Sequence, residues 1–243
     1  MITRTNITAM MRNLTLALMM SGLSGCGSNV YAPLQSQDPA EQAARYLEDG
    51  KPQKAIDLLE KELADNPDEA RYISILALAY AQRAGVAPID FLDNMGSAQN
   101  SNTGLTNDIT ALFSVTPAAT SSSIADVDYA VTLLASLTAD DLNDAEKLKL
   151  SLFQMASTVL KLKILDTDGN GQLSALELLG LSDATADSII AGLQNAASAL
   201  GGGGSGASTG GDVAAQLVSS MVSGITGQAG ASSRDKLAGY VQQ

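Results

Sequence analysis

The sequence predicts an all-α protein. Aromatic residues make up only 4% of the 243 residues, and tryptophan is absent. Apolar residues recur at spacings of three and four along most of the chain, whereas few β-branched or aromatic runs alternate with a period of two. The chain is long enough to bury one sizeable core or two small ones.

Residues 1–25 have the composition of a secretory signal peptide. Arg4 and Arg12 give it a positive start, and a short apolar stretch with small residues at its end follows. The stretch is too short to span a bilayer as a helix. Translation from either Met1 or Met11 would leave a working signal.

The segment ends in Leu-Ser-Gly-Cys at residues 23–26, which resembles the lipobox of bacterial lipoproteins. The resemblance implies that Cys26 is lipidated and becomes the first mature residue, with residues 26–37 as a polar tether. Gly27 rather than aspartate follows it, which in this family implies the outer membrane, with the protein facing the periplasm. The alternative is an ordinary signal peptide with a free cysteine near its end.

The chain is acidic, with a formal net charge of −12. Removal of residues 1–25 would take away two arginines and no acid, so the mature charge would be −14. Such a chain is repelled by phosphates, which disfavours nucleic acid and anionic lipid head groups as partners. Membrane attachment would therefore depend on acyl chains on Cys26, the only cysteine, and a disulfide framework is excluded.

Residues 38–95 predict three helices and the start of a fourth. Asp38 can cap the first helix, and Pro39 suits its first position. Gly50, Asn66 with Pro67, and Gly85 mark the ends of successive helices. The predicted helices span 38–50, 52–64, 68–83 and 88–95. Their inward faces carry Ala55, Ile56, Leu59 and Leu63 in the second, and Ile73, Leu76, Ala77 and Tyr80 in the third.

This region resembles the tetratricopeptide repeat over about one and a half repeats. With Pro67 as the proline that ends a repeat, the small and large packing positions are Ala43, Tyr46, Ala55 and Leu59. Ala77 and Tyr80 recur 34 residues after Ala43 and Tyr46, which is the period of the family. Pro39, Gln42 and Glu62 depart from its pattern. The resemblance implies a concave face for a protein partner, and the alternative is a generic helical hairpin. Because stacked repeats are stabilised by their neighbours, so short a repeat must pack against downstream helices or another chain.

Residues 96–200 predict a second helical domain. Loops at 96–104 and 115–123 flank a brief helix at 107–113, and a longer helix follows at 123–137. Thr138 to Asp141 has the spacing of a capping box that opens a long helix. The apolar stripe of that helix is Ala145, Leu148, Leu152, Met155, Val159 and Leu162.

Residues 166–177 read Asp-Thr-Asp-Gly-Asn-Gly-Gln-Leu-Ser-Ala-Leu-Glu, which resembles an EF-hand calcium loop. Calcium takes six to eight oxygen ligands, and such a loop supplies them from positions 1, 3, 5, 7, 9 and 12. The predicted metal ligands are Asp166, Asp168, Asn170, Gln172 through its carbonyl, and Glu177 with two oxygens. Ser174 would add a hydroxyl or a bridging water, Gly171 would make the sharp turn, and Leu173 would be the apolar plug behind the ion. The resemblance holds at every diagnostic position of the twelve-residue loop.

The loop is unpaired, whereas EF-hands usually come in pairs. Neither 140–143 nor 183–187 has the required glycine and closing glutamate, and Gly180 and Ser182 shorten the exit helix. These features favour a structural role over a sensor that opens a groove. Three carboxylates predict weak calcium affinity, roughly 10⁻⁴ to 10⁻³ M.

The C-terminal part predicts a helix at 183–200, a flexible Gly/Ser-rich linker at 201–211 and a helical segment at 212–243. The last segment has an apolar face that could dock on the body or on a partner. That face consists of Val213, Leu217, Met221 and Ile225.

The composition argues against an enzyme. Histidine is absent, and the lone cysteine is the predicted lipid site, so the commonest general base and thiol catalysis are both missing. Ser233 and Lys236 match Ser-x-x-Lys without companion motifs. Gly201 to Gly204 lack the lysine of a phosphate-binding loop.

The sequence therefore predicts a lipid-anchored cell-envelope protein that binds one Ca²⁺ and mediates protein–protein interactions. The alternative is an accessory subunit of an envelope transport or assembly complex, in which the calcium site is purely structural. A structural surface lipoprotein with no dedicated partner is a third possibility.

Overall fold

The computed structural model describes residues 38–100, 108–201 and 209–242, and these ranges contain helices and no strand. The all-α prediction is confirmed. The predicted signal peptide, Cys26 and the tether lie outside the described residues. The helices are α1 Pro39–Glu48, α2 Pro52–Asp65, α3 Ala70–Arg83, α4 Pro88–Asn100, α5 Asp108–Val115, α6 Ser121–Ala135, α7 Asp144–Lys163, α8 Ala175–Leu178, α9 Asp183–Gly201, α10 Thr209–Thr226 and α11 Ser233–Val241.

Helices α1, α2 and α3 contact one another around a small apolar core. The buried members of this core are Ala43, Leu47, Ala55, Ile56, Leu59, Leu76 and Ala79. Ala77 is buried too, but it packs into the larger core downstream, while Tyr46 and Tyr80 lie partly buried at the edge. The inward faces predicted for α2 and α3 are thus the faces that pack, and the tetratricopeptide resemblance itself stays a prediction.

Helices α1–α3, called the hairpin below, are joined to the downstream helices because α3 packs against α6. The Arg83 guanidinium donates to the Asp126 carboxylate, with Nε 2.8 Å from Oδ2. Arg83 also lies over the Tyr80 ring, 4.6 Å from its centroid. Tyr80 in turn meets the Tyr129 ring edge-on at 4.7 Å. The downstream support expected for helices α1–α3 therefore comes from α6.

Helix α7 runs between α6 and α9 and is buried on several faces. Four residues of the predicted stripe are buried, namely Leu152, Met155, Val159 and Leu162. The prediction is wrong for the first turns, where Ala145 is exposed and Leu148 is 37% exposed. Those turns instead present Glu146 and Lys149 to α3, where both hydrogen-bond the Ser74 hydroxyl.

The predicted capping box at Thr138 is wrong. Thr138 Oγ1 donates to the Asp141 carboxylate at 2.6 Å inside a turn. Asn143 caps α7 instead, because its Oδ1 accepts from the N–H groups of Ala145 at 2.9 Å and Glu146 at 3.1 Å. Thr138 and Asn143 are both good N-cap residues. The turn at 139–141 separates Thr138 from the helix and places Asn143 at its start.

Three predicted loops are partly helical, and at 115–123 this concerns only the ends, because α5 includes Val115 and α6 begins at Ser121. Helix α4 continues through Asn100 instead of ending near Met95, and α10 already begins at Thr209. Within the predicted linker, 202–208 lie outside the described residues, as do 101–107 of the earlier loop. Helix α10 packs against α9 and α4, and such packing overrides the low helix propensity of glycine and serine.

The C-terminal helices dock on the body of the protein. Met221 and Ile225 are completely buried, as is Val218, which the prediction did not include. The side chains of Val213 and Leu217 lie outside the described ones. Helix α11 packs against α8, α9 and α10. Met221 and Ile225 of the predicted face therefore pack on the body of the protein.

We predict that Gly192→Ala destabilises the protein by about 1–3 kcal/mol, because overpacking forces neighbours to shift. A Cβ at Gly192 on α9 would lie 2.5 Å from Thr158 Oγ1 on α7. The measurement is urea unfolding. In the control, Gly192→Ala combined with Thr158→Ala recovers most of the loss. A single variant as stable as the wild type contradicts this close approach.

Candidate metal centre

The loop at 166–177 connects α7 to α8 and turns on two glycines. Gly169 has φ +70° and Gly171 has φ +77°, a region that other residues rarely adopt. An added Cβ would meet nothing within 4 Å at either position, so conformation and not space requires glycine there. Gly171 was predicted from the motif, while Gly169 is a second turn that only the structure reveals.

Three predicted ligands converge in this loop. One carboxylate oxygen from each of Asp166, Asp168 and Glu177 lies within 4.8 Å of the others. Three negative charges this close repel one another unless a cation lies between them. The cluster contains oxygen donors alone, which suits a hard divalent cation. These residues can hold a metal ion.

Hydrogen bonds within the loop already hold its first half in shape. The Asp166 carboxylate accepts from the N–H groups of Asn170 at 3.2 Å and Gly171 at 2.9 Å. Asp168 Oδ1 accepts from the same Asn170 N–H at 3.0 Å. Because a carboxylate oxygen has more than one lone pair, these bonds leave room for an ion. Hydrogen bonds to its own side chains therefore hold the loop in this conformation without a metal ion.

The other two predicted ligands lie in the same turn. Asn170 Oδ1 accepts from the Gln172 backbone N–H at 2.7 Å, and its amide nitrogen donates to Asp168 at 2.8 Å. The Gln172 side chain is exposed, as expected for a residue that would contribute only its carbonyl.

Glu177 closes the loop by binding both of its ends. One carboxylate oxygen accepts from the Thr167 N–H at 2.8 Å, and the other from the Ser174 N–H at 2.9 Å. The hydroxyls of Thr167 and Ser174 donate to the same two oxygens. These bonds, led by the Ser174 N–H, lower the pKa of Glu177 from 4.5 to about 2. The carboxylate is therefore ionised at neutral pH.

Ser174 has a role that the loop pattern did not predict. Its Oγ accepts from the Glu177 N–H at 3.3 Å, so Ser174 and Glu177 form the capping box of α8. The Ser-x-x-Glu spacing was present in the sequence and could have revealed this cap. Thr167 had no comparable signal, because its contact with Glu177 depends on the closed loop.

Apolar residues fix the loop to the core. Leu173, the predicted plug, is 6% exposed, and Leu178 and Leu181 beyond it are buried as well. Helix α8 has only four residues, which confirms the predicted short exit helix, and it contacts α11. The loop is therefore held at both ends by packed structure.

Lys163, the last residue of α7, ties the loop to α5. Its Nζ donates to the carbonyls of Phe113 and Thr116, each at 2.7 Å. Burial lowers the pKa of Lys163, and the nearby Asp166 carboxylate opposes this effect. The two carbonyls lie at the C-terminal end of α5, where carbonyls lack partners within the helix, and a lysine supplies the missing donors. Sequence reasoning missed this residue, because the contact joins segments about fifty positions apart.

The Ser-x-x-Lys match occurs at the start of α11. Ser232, just before it, caps the helix in a capping box with Asp235, and the Ser233 hydroxyl donates to Asp187 on α9. These residues join α11 to α9.

Among the described residues, no single helix is long and apolar enough to cross a membrane. Helix α3 together with Pro88–Asn94 meets the length and composition requirement only as a pair bent by 54°.

No protein-family model matches this chain, and neither the curated proteins nor the solved structures contain a match to it.

We predict that, with a chelator present, Glu177 stabilises the fold above its ordinary pKa of 4.5 and loses this contribution as pH falls towards about 2. The sign follows because the pKa is lower in the folded state. Carboxyl-resolved NMR measures this pKa directly. The stability difference between wild type and Glu177→Gln should shrink over the same pH range. A Glu177 pKa near 4.5 contradicts the hydrogen-bonded loop.

Proposed function

We propose that this protein is a lipid-anchored component of the bacterial cell envelope that binds one calcium ion and contacts protein partners through α1–α3. The observation that carries the proposal is the convergence of Asp166, Asp168 and Glu177 in a loop that is already closed. The lipid anchor is supported by the Leu-Ser-Gly-Cys sequence at 23–26.

Calcium is the cation that we propose for the loop. Its flexible coordination by six to eight oxygens accepts carboxylates, an amide and a backbone carbonyl together. Asp166, Asp168 and Asn170 alternate along one turn, with the Gln172 carbonyl and Glu177 to follow. Magnesium demands a stricter octahedral geometry and prefers to keep its waters. Zinc prefers nitrogen and sulfur ligands, and the chain has no histidine and only one cysteine, far from this loop in sequence.

The packing around the loop favours a structural role for the ion. A sensor needs a second helix that swings open, whereas α8 has four residues and Leu178 in the core. An ion between Asp166 and Glu177 would clamp the end of α7 to α8, and through α8 to α11. This observation supports the second candidate function, an accessory subunit of an envelope transport or assembly complex with a structural calcium site.

The proposed partner surface is the hairpin of α1–α3. Its inner face is used by its own core and by α6, and the outer faces carry many charged residues. The hairpin is braced by Arg83 and Asp126, so it presents a fixed surface to a partner helix or peptide. Crosslinking in cells followed by mass spectrometry identifies the partner.

We predict that calcium stabilises the full-length protein. If the dissociation constant is 10⁻⁴ to 10⁻³ M, then 10 mM calcium adds about 1.4–2.7 kcal/mol to the free energy of unfolding. Calorimetry and thermal unfolding, with calcium and with a chelator, measure this. Glu177→Gln should lose the effect, whereas Asp140→Asn, an exposed carboxylate outside the loop, should keep it. Equal melting temperatures in calcium and in chelator contradict the proposal.

We predict that Cys26 is the site of lipid attachment. Cells that express the full chain with an alkyne fatty acid should yield labelled protein in the membrane fraction. Cys26→Ala should abolish the label and leave the unprocessed, longer form. Because the chain has no other cysteine, label that persists in this variant contradicts attachment at the thiol.

A further inference from the structure

A groove of about 510 Å³ opens beside the metal loop, between the ends of α5 and α7. Its volume lies within the range of small-molecule sites. The apolar residues that line it are Phe113, Ala118, Ala119 and Ile164, of which Phe113 is only 3% exposed and Ala118 is exposed. Ile164 is 41% exposed although it is a large aliphatic residue. The groove therefore offers apolar surface that a ligand can cover.

Two charged side chains are among the described residues that line the groove, Lys163 and Asp166. Lys163 uses two of its three N–H donors on the carbonyls of Phe113 and Thr116, which fixes its ammonium group in place. Among the described residues the third donor has no hydrogen-bond partner, which leaves it for a ligand. A cation that is already held in position loses little side-chain freedom when it binds an anion.

Asp166 lines the groove together with Lys163, so its charge bears on whether an anion can bind there. Its carboxylate accepts from the Asn170 and Gly171 N–H groups of the loop and lies near the Lys163 ammonium, so without a metal ion it repels a negative ligand. A divalent cation in the loop would neutralise Asp166, and Lys163 would then be the dominant charge. The metal loop and the groove share this one residue, so occupancy of one changes the electrostatic potential of the other.

We infer that the groove binds a small carboxylate with an apolar tail, and that a divalent ion in the loop strengthens this binding. The carboxylate accepts from Lys163, and the tail covers Ile164 and Ala118, the exposed apolar residues of the groove. The dependence on the ion rests on the proposed calcium function. By linkage, the carboxylate must also raise calcium affinity by the same factor that calcium raises carboxylate affinity.

Octanoate is the probe, and octanol is its neutral analogue. Calorimetric titration of the full-length protein in calcium should show octanoate binding about tenfold more tightly than octanol, because a hydrogen bond to a charged group is lost. Lys163→Met should reduce octanoate affinity about tenfold, while Lys161→Met, a matched change on the same helix, should leave it unchanged. Ile164→Ser tests the apolar wall without touching the charge and should weaken both probes.

Equal binding of octanoate and octanol overturns the inference, as does octanoate affinity that is unchanged in Ile164→Ser. Failure of the calcium function is distinguishable. If calcium alone gives no heat but octanoate binds through Lys163 in chelator, the groove stands and the calcium proposal falls. If calcium binds but octanoate affinity is the same with and without it, the coupling through Asp166 is refuted.

Discussion

The burial of α7 is the constraint on which the rest of the structure depends. This helix packs against α6 on one side and α9 on another, and its second half is almost wholly enclosed. Its last residue, Lys163, is held by two carbonyls at the end of α5. The start of the metal loop is therefore fixed by a rigid element. Sites on such elements are held more precisely than sites on free loops.

The metal loop balances repulsion against hydrogen bonding. Three carboxylates are brought together, which would be costly without donors aimed at them. The loop supplies those donors from its own backbone, at Asn170 and Gly171 for the first half and at Thr167 and Ser174 for Glu177. A loop arranged in this way needs little reorganisation when an ion enters, and its hydrogen bonds hold the pKa of Glu177 below the ordinary value. We regard it as a clamp between α7 and α8.

Each candidate site is held in place by contacts with elements that are distant in sequence. The hairpin of α1–α3 leans on α6 through Arg83 and Asp126. The metal loop packs into the core through Leu173 and contacts α11 through α8. The groove is lined by residues of α5 and by residues of the loop. A calcium ion would therefore act on the stability of the whole helical assembly, and through Asp166 on what the groove accepts.

The sequence by itself determined the helical class, most helix positions and the three carboxylates, Asp166, Asp168 and Glu177, that lie together and can hold a metal ion. These follow from short-range patterns, namely apolar spacing for α2 and α3, and the alternating oxygens of Asp166, Asp168 and Asn170. The tertiary structure decided what depends on contacts distant in sequence. It chose Asn143 over Thr138 as the cap of α7, and it extended α10 into the glycine-rich linker. It also assigned Lys163 to the end of α5 and docked the C-terminal helices on the body. Local spacing carries no information about which face meets which neighbour, because those contacts form only when separate segments pack together.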